Sequence, residues 1–113
     1  MRRDDVVRLR HMLDAARETM AFCAGRTRAD LGSNRMLLLS VVKDIEIIGE
    51  SASQVAEEAR AELSNVPWLD IIGMRNRLVH AYFRINVDIV WETVQSDLSA
   101  LVRELESALD SVD

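Results

Sequence analysis

Leu38, Val41, Val42, Ile45, Ile48, Ala52, Val55 and Ala59 return at steps of three and four residues, the interval that stacks side chains along one face of an α-helix. The same interval recurs through Val6, Leu9, Leu13, Ala16, Met20 and Cys23. It recurs again through Val87, Val90 or Trp91, Val94, Leu98, Leu101, Leu105 and Ala108. Four glycines and one proline punctuate 113 residues that are 49% hydrophobic and 29% charged, the profile of a helix-rich soluble domain. The expected fold class is all-α.

Asp4 or Asp5 is expected to cap a first helix running to about Ala24, and Gly25 suits the left-handed position that ends it. Residues 28–34 read as a loop or a short turn of helix. Ser33 or Asn34 can cap a long second helix over about 35–63. Met36, Leu37, Leu39 and Ile47 widen its apolar stripe, which implies contact on two sides, within the chain or with another subunit. Gly49 sits mid-helix, at a cost of roughly 1 kcal/mol relative to alanine, and reads as the crossing point of a neighbouring helix. Pro67 fits the first turn of a third helix reaching about Ala81 and burying Trp68, Ile71, Ile72 and Leu78, with Met74 a further candidate. Asn86 or Asp88 caps the fourth. Four amphipathic helices with short connections make an up-and-down four-helix bundle, one domain over residues 1–113, and the broad second helix favours a symmetric homodimer.

No apolar run approaches the roughly 18 residues of a membrane span, and the basic start "MRRDDVVRLRH" lacks the apolar region of a secretory signal, so a cytoplasmic protein is expected. Cys23 has no partner cysteine and reads as a small buried hydrophobe. His11 has no second histidine at metal-ligand spacing. No glycine-rich phosphate loop or paired ligand motif occurs, so neither a metal nor a cofactor is expected. The net charge of -5 is uneven: residues 88–113 hold seven acids and one base, residues 1–35 five acids and eight bases. A local basic pocket is therefore more natural than a basic coat.

That pocket is suggested by "GMRNRLVHAYF", residues 73–83, where Arg75, Arg77 and His80, with Arg84 just beyond, run against the sign of the whole chain. Arg75, His80 and Tyr82, in "RNRLVHAY", stand at a spacing that resembles the signature of the HEPN superfamily, and more narrowly that of the HepT-like ribonuclease toxins. The likeness extends through "IIGE" at 47–50, "VPW" at 66–68 and "DIVW" at 88–91, in the family's order; residues 1–35 match only as a helix of the right length. Ser51 departs from the family pattern, standing where alanine is expected.

The resemblance implies a HEPN-like helical dimer that is a metal-independent endoribonuclease, with the motifs of both chains at one cleft and RNA as substrate. It implies a second partner, a minimal nucleotidyltransferase antitoxin that transfers AMP from ATP to the motif tyrosine, here Tyr82, with scope for a larger hetero-oligomer. Arg75, Asn76 and His80 take the catalytic positions.

Independent of the family, cutting RNA without a metal needs a base for the 2′-hydroxyl, charge to steady the phosphate and an acid for the leaving 5′-oxygen. Histidine titrates near neutrality and suits either proton role. Arginine's fixed fork suits phosphate, which assigns phosphate binding to Arg75 and, more peripherally, to Arg77 and Arg84. Five helical residues turn through about 500°, so Arg75 and His80 share no helix face. Either the helix loosens near His80 or the site draws on two chains.

The structural alternatives are plain. Arg75 and Arg77 could pair with Glu46 or Glu50, His80 could sit satisfied at a helix end, and Tyr82 could be a core-edge aromatic. For Glu50 the preferred role is orienting an arginine. The rival function is a non-catalytic helical adaptor that docks a nucleotidyltransferase.

Overall fold

A computed structural model describes residues 1–80 and 84–112. Among the described residues the chain is all-α apart from one two-residue β pairing. Helices α1 (Arg3–Cys23), α2 (Arg28–Ser33), α3 (Arg35–Ser53), α4 (Glu57–Glu62) and α5 (Trp68–Leu78) come first. Strands β1 (Val79–His80) and β2 (Arg84–Ile85) follow. A last helical run comprises α6 (Val87–Glu92), a π-helical turn (Thr93–Asp97) and α7 (Leu98–Val112). α1 packs on α3 and α7, and α3 packs on α5. The apolar stripes meet in one cluster in which Leu9, Met12, Ile45, Ile48, Leu78, Leu98 and Leu105 are fully buried.

The helix ends mostly follow their local chemistry. Gly25 has φ 72°, the left-handed conformation expected of it. The Asn34 side chain accepts from the Leu37 N–H at 3.0 Å and caps α3, and the Asn86 side chain accepts from the Ile89 N–H at 3.1 Å and caps α6. Residues 28–33 form a true helix because Thr27 and Asp30 cap it reciprocally, side chain to backbone in both directions. The first helix differs from expectation: it starts at Arg3, and Asp5 caps nothing at its own end. Asp5 is buried and accepts from the Ala56 N–H at 2.9 Å, 51 residues away.

That bond helps to explain why the expected second helix over 35–63 is two helices. α3 ends at Ser53, and Asp5 takes the N–H of Ala56, the residue that begins α4. The Arg60 guanidinium then folds back over the break and donates to the carbonyls of Ala52 (3.1 Å), Ser53 (2.9 Å) and Val55 (3.0 Å). Val55 and Ala59 stay buried across the break, so the apolar period survives while the backbone does not.

Gly49 is a crossing point, as its position suggested. A Cβ there would stand 3.2 Å from the Ile71 carbonyl oxygen and 3.6 Å from that of Ile72, which is how closely α5 approaches α3. Gly49→Val should therefore push the helices apart and cost about 2 kcal/mol, read as a lower urea midpoint with unchanged slope.

The third helix also ends early. α5 stops at Leu78, not near Ala81, because the backbone turns extended at Val79 and His80 and pairs antiparallel with Ile85 and Arg84. The Asn86 N–H closes this pairing on the Leu78 carbonyl at 2.8 Å. In the last helical run the Thr93 hydroxyl donates to the Ile89 carbonyl at 2.8 Å, and the next turn widens so that the Leu98 N–H reaches the Thr93 carbonyl. None of the described helices is long and apolar enough to cross a membrane.

One acid lies against the grain of the core. Asp44, only 4% exposed, accepts from the Thr19 hydroxyl at 3.3 Å. Burial, then its hydrogen bond with Glu18 and that residue's charge, push its carboxyl up to about 6, with Thr19 pulling the other way. A carboxyl raised in the folded state holds its proton more tightly there than when unfolded. Its contribution is therefore most favourable at low pH and is lost as pH rises through 6. Asp44→Asn should stabilise the protein at pH 8 by about 2–3 kcal/mol, the gain shrinking as pH falls below 6 and vanishing only below about pH 4, as thermal melts across that range would record.

Candidate active site

α5 carries the motif outward from the core. Trp68, Ile71, Met74 and Leu78 bury one face of it, and the Trp68 indole N–H donates to the carbonyls of Arg60 and Leu63, fixing the start of the helix. With that face held inward, Arg75, Asn76 and Arg77 are left exposed.

Arg75 meets α3. Its Nε donates to Glu46 Oε1 at 3.1 Å, with the guanidinium half exposed. A pair this open adds less than about 1 kcal/mol of stability, so its effect is to aim the guanidinium. Glu46, rather than Glu50, is the acid that orients an arginine; the Glu50 carboxylate accepts from Gln54 Nε2 at 2.9 Å. Gly49 already carried the signal, since Glu46 lies three residues before it on the same helix face, the one α5 crosses.

His80 leaves the helix. Its backbone is in β1, directly opposite Arg84 of β2, so the loosening near His80 that the spacing allowed is a change from helix to extended chain. Directly opposed residues of an antiparallel pair have Cα atoms roughly 5 Å apart. The fold thus brings Arg84 to His80, five residues beyond Arg75 along the motif. The His80 side chain and Tyr82 lie outside the described residues.

Arg77 is set apart from this group. It points to the other flank of α5, where its guanidinium donates to the Asp70 carbonyl at 3.1 Å and borders a cleft that also holds the carboxylates of Asp70, Asp97 and Glu104. A phosphate there would meet three negative charges and one positive.

Cys23 is buried, and that burial pushes its thiol pKa up, with Arg26 opposing; it is a packing residue, as expected. His11 lies exposed on α1 beside Asp14, Glu18 and Asp44.

Comparison with known proteins supports the motif reading. A protein of Methanocaldococcus jannaschii named "Putative RNase" is 30% identical over 105 residues, covering 93% of this chain and 96% of its own length. One of Caldanaerobacter subterraneus with the same kind of name is 33% identical over 101 residues, 89% of this chain and 90% of its own. A protein of Thermococcus cleftensis named "Probable ribonuclease HepT" is 33% identical over 67 residues, 59% of this chain and 61% of its own. No solved structure matches the chain. The family model described as ribonuclease HepT-like matches residues 12–108, from the middle of α1 to near the end of α7, and the chain belongs to that family.

Proposed function

We propose that this chain is a metal-independent endoribonuclease, the cytoplasmic toxin of a toxin–antitoxin pair. It acts as a symmetric dimer of up-and-down four-helix domains, each a single HEPN-like unit over residues 1–113. The observation that carries the reading is the gathering of Arg75, Asn76 and the cross-strand residues His80 and Arg84 at one end of α5, in a chain of the HepT-like family.

In the reaction the His80 imidazole of one protomer takes the proton of the 2′-hydroxyl, and the freed oxygen attacks the adjacent phosphorus. Arg75 and Arg84 hold the oxygens of the five-coordinate phosphate, and the Asn76 amide positions them. The histidine of the second protomer protonates the departing 5′-oxygen as its bond to phosphorus breaks. The products are a 2′,3′-cyclic phosphate and a 5′-hydroxyl.

The exposed side of α5 supports the dimer. Leu69 is 82% exposed, Gly73 follows four residues later with no atom within 4 Å of where its Cβ would be, and Asn76 comes three residues after that. A large apolar side chain next to a smooth gap on one helix face is self-complementary about a twofold axis. Met36 (81% exposed) and Leu39 (46% exposed) on α3 are further apolar side chains left uncovered by the single chain.

The antitoxin is a minimal nucleotidyltransferase. Attack by the Tyr82 hydroxyl on the α-phosphorus of ATP releases pyrophosphate and leaves AMP on the ring, a bulky anion that competes with RNA for the arginines. The rival reading, an adaptor without catalysis, draws on the Arg75–Glu46 contact, since an arginine held by its own chain needs no ligand. Expression of the chain by itself separates the two, growth arrest favouring the toxin and normal growth the adaptor. The direct test is incubation of the purified protein with RNA in excess EDTA. Fragments ending in 2′,3′-cyclic phosphate are expected, and intact RNA in the presence of folded dimer would sink the assignment.

A further inference from the structure

One cleft among the described residues lies outside the group at the end of α5. It has a volume of about 330 Å3 and runs between one flank of α5, from Asp70 to Arg77, and the start of α7. Its lining includes the apolar side chains of Ile71, Met74 and Leu101 and the neutral polar residues Asn65 and Ser96, and its charged groups are the carboxylates of Asp70, Asp97 and Glu104 with the single guanidinium of Arg77. The π-helical turn ends at Asp97, so the widened backbone sets one of these acids, and Ala100 beyond it is too small to fill the space.

Two properties of the cleft select an occupant. The volume and apolar lining suit one Leu, Met or Phe side chain, taking it out of water. The charged groups sum to -2, and none of the three carboxylates is paired with a base among the described residues. A phosphate backbone is repelled by such a rim, whereas a Lys or Arg beside the buried side chain can lay its stem on the apolar lining and its charge among the carboxylates.

The geometry points to this cleft as a docking site for the antitoxin, through a segment that offers an apolar anchor flanked by Lys or Arg. The proposal rests on the preceding reading only for the identity of that partner. It separates holding the partner from blocking the site: the cleft is on the flank of α5 away from Glu46 and Arg75, and a transferase anchored there stays close to the residues that follow α5 without covering the arginine.

The test uses blocked peptides as probes, with the methyl resonances of Met74 and Leu101 as readout. Acetyl-Arg-Leu-Arg-amide should shift both methyls saturably, and acetyl-Glu-Leu-Glu-amide and acetyl-Arg-Gly-Arg-amide should bind at least tenfold more weakly. In the double variant Asp97→Lys, Glu104→Lys the preference should reverse toward the acidic peptide. Equal responses to the three peptides, an unchanged preference in the variant, a stronger response to a short oligoribonucleotide, or methyl shifts that track protein concentration with no peptide present would each overturn the proposal. RNA cleavage by the same variant should remain at the wild-type rate. Loss of cleavage from the wild-type protein itself would count against the toxin assignment and leave the peptide result standing, so the two failures are distinguishable.

Discussion

His80→Ala is expected to lower RNA cleavage by at least about a thousandfold, the range over which a positioned acid or base acts. The effect is at the upper end because the substitution enters both protomers and removes base and acid together. Arg75→Ala should lose a similar factor for a different reason, the loss of fixed charge where the five-coordinate phosphate gathers negative charge. Arg75→Lys should restore little, since an ammonium cannot reproduce the two-pronged grip of a guanidinium. Stability should barely move. The Arg75–Glu46 contact is half exposed, and its removal costs less than about 1 kcal/mol, which a melt beside each cleavage assay would record. Either variant retaining full cleavage would reject the assigned roles.

Leu69→Glu is expected to dissociate the dimer and take the activity with it. Burying a leucine side chain contributes roughly 2 kcal/mol, and a twofold interface counts each substitution twice, so the dissociation constant should rise by about three orders of magnitude. Two carboxylates facing each other across the axis add to the loss. The monomer itself should fold as before, because Leu69 at 82% exposure touches little of its own chain. Sedimentation should record a monomer with wild-type helix content, and cleavage per chain should fall steeply at micromolar protein. A Leu69→Glu protein that stays dimeric would move the interface elsewhere.

The helical class and the positions of the main helices were legible because burial at steps of three and four leaves a pattern no strand shares, and the caps Asn34 and Asn86 and the stop at Gly25 are set by their neighbours in sequence. What the sequence hid depends on distant residues. No glycine or proline marks the break after Ser53; it depends on Asp5 reaching Ala56 across 51 residues and on Arg60 folding back. The end of α5 at Leu78 is likewise set by pairing with residues 84 and 85, and the π-helical turn by the Thr93 hydroxyl. In the site, the motif supplied the identity of Arg75 and His80; the fold chose Glu46 over Glu50 for Arg75 and set Arg84 opposite His80. Asp44 was legible and passed over: it lies three residues after Val41 and four before Ile48, on the buried face.

The claim on which the account turns is that cleavage needs the motifs of two chains in one cleft. It is tested by unfolding and refolding wild-type protein together with the inactive double variant Arg75→Ala, His80→Ala at a series of ratios and fixed total concentration, then measuring RNA cleavage. If both protomers supply a histidine to the same reaction, activity falls as the square of the wild-type fraction. Activity that falls in simple proportion to that fraction would mean each chain cleaves unaided, and would contradict the account.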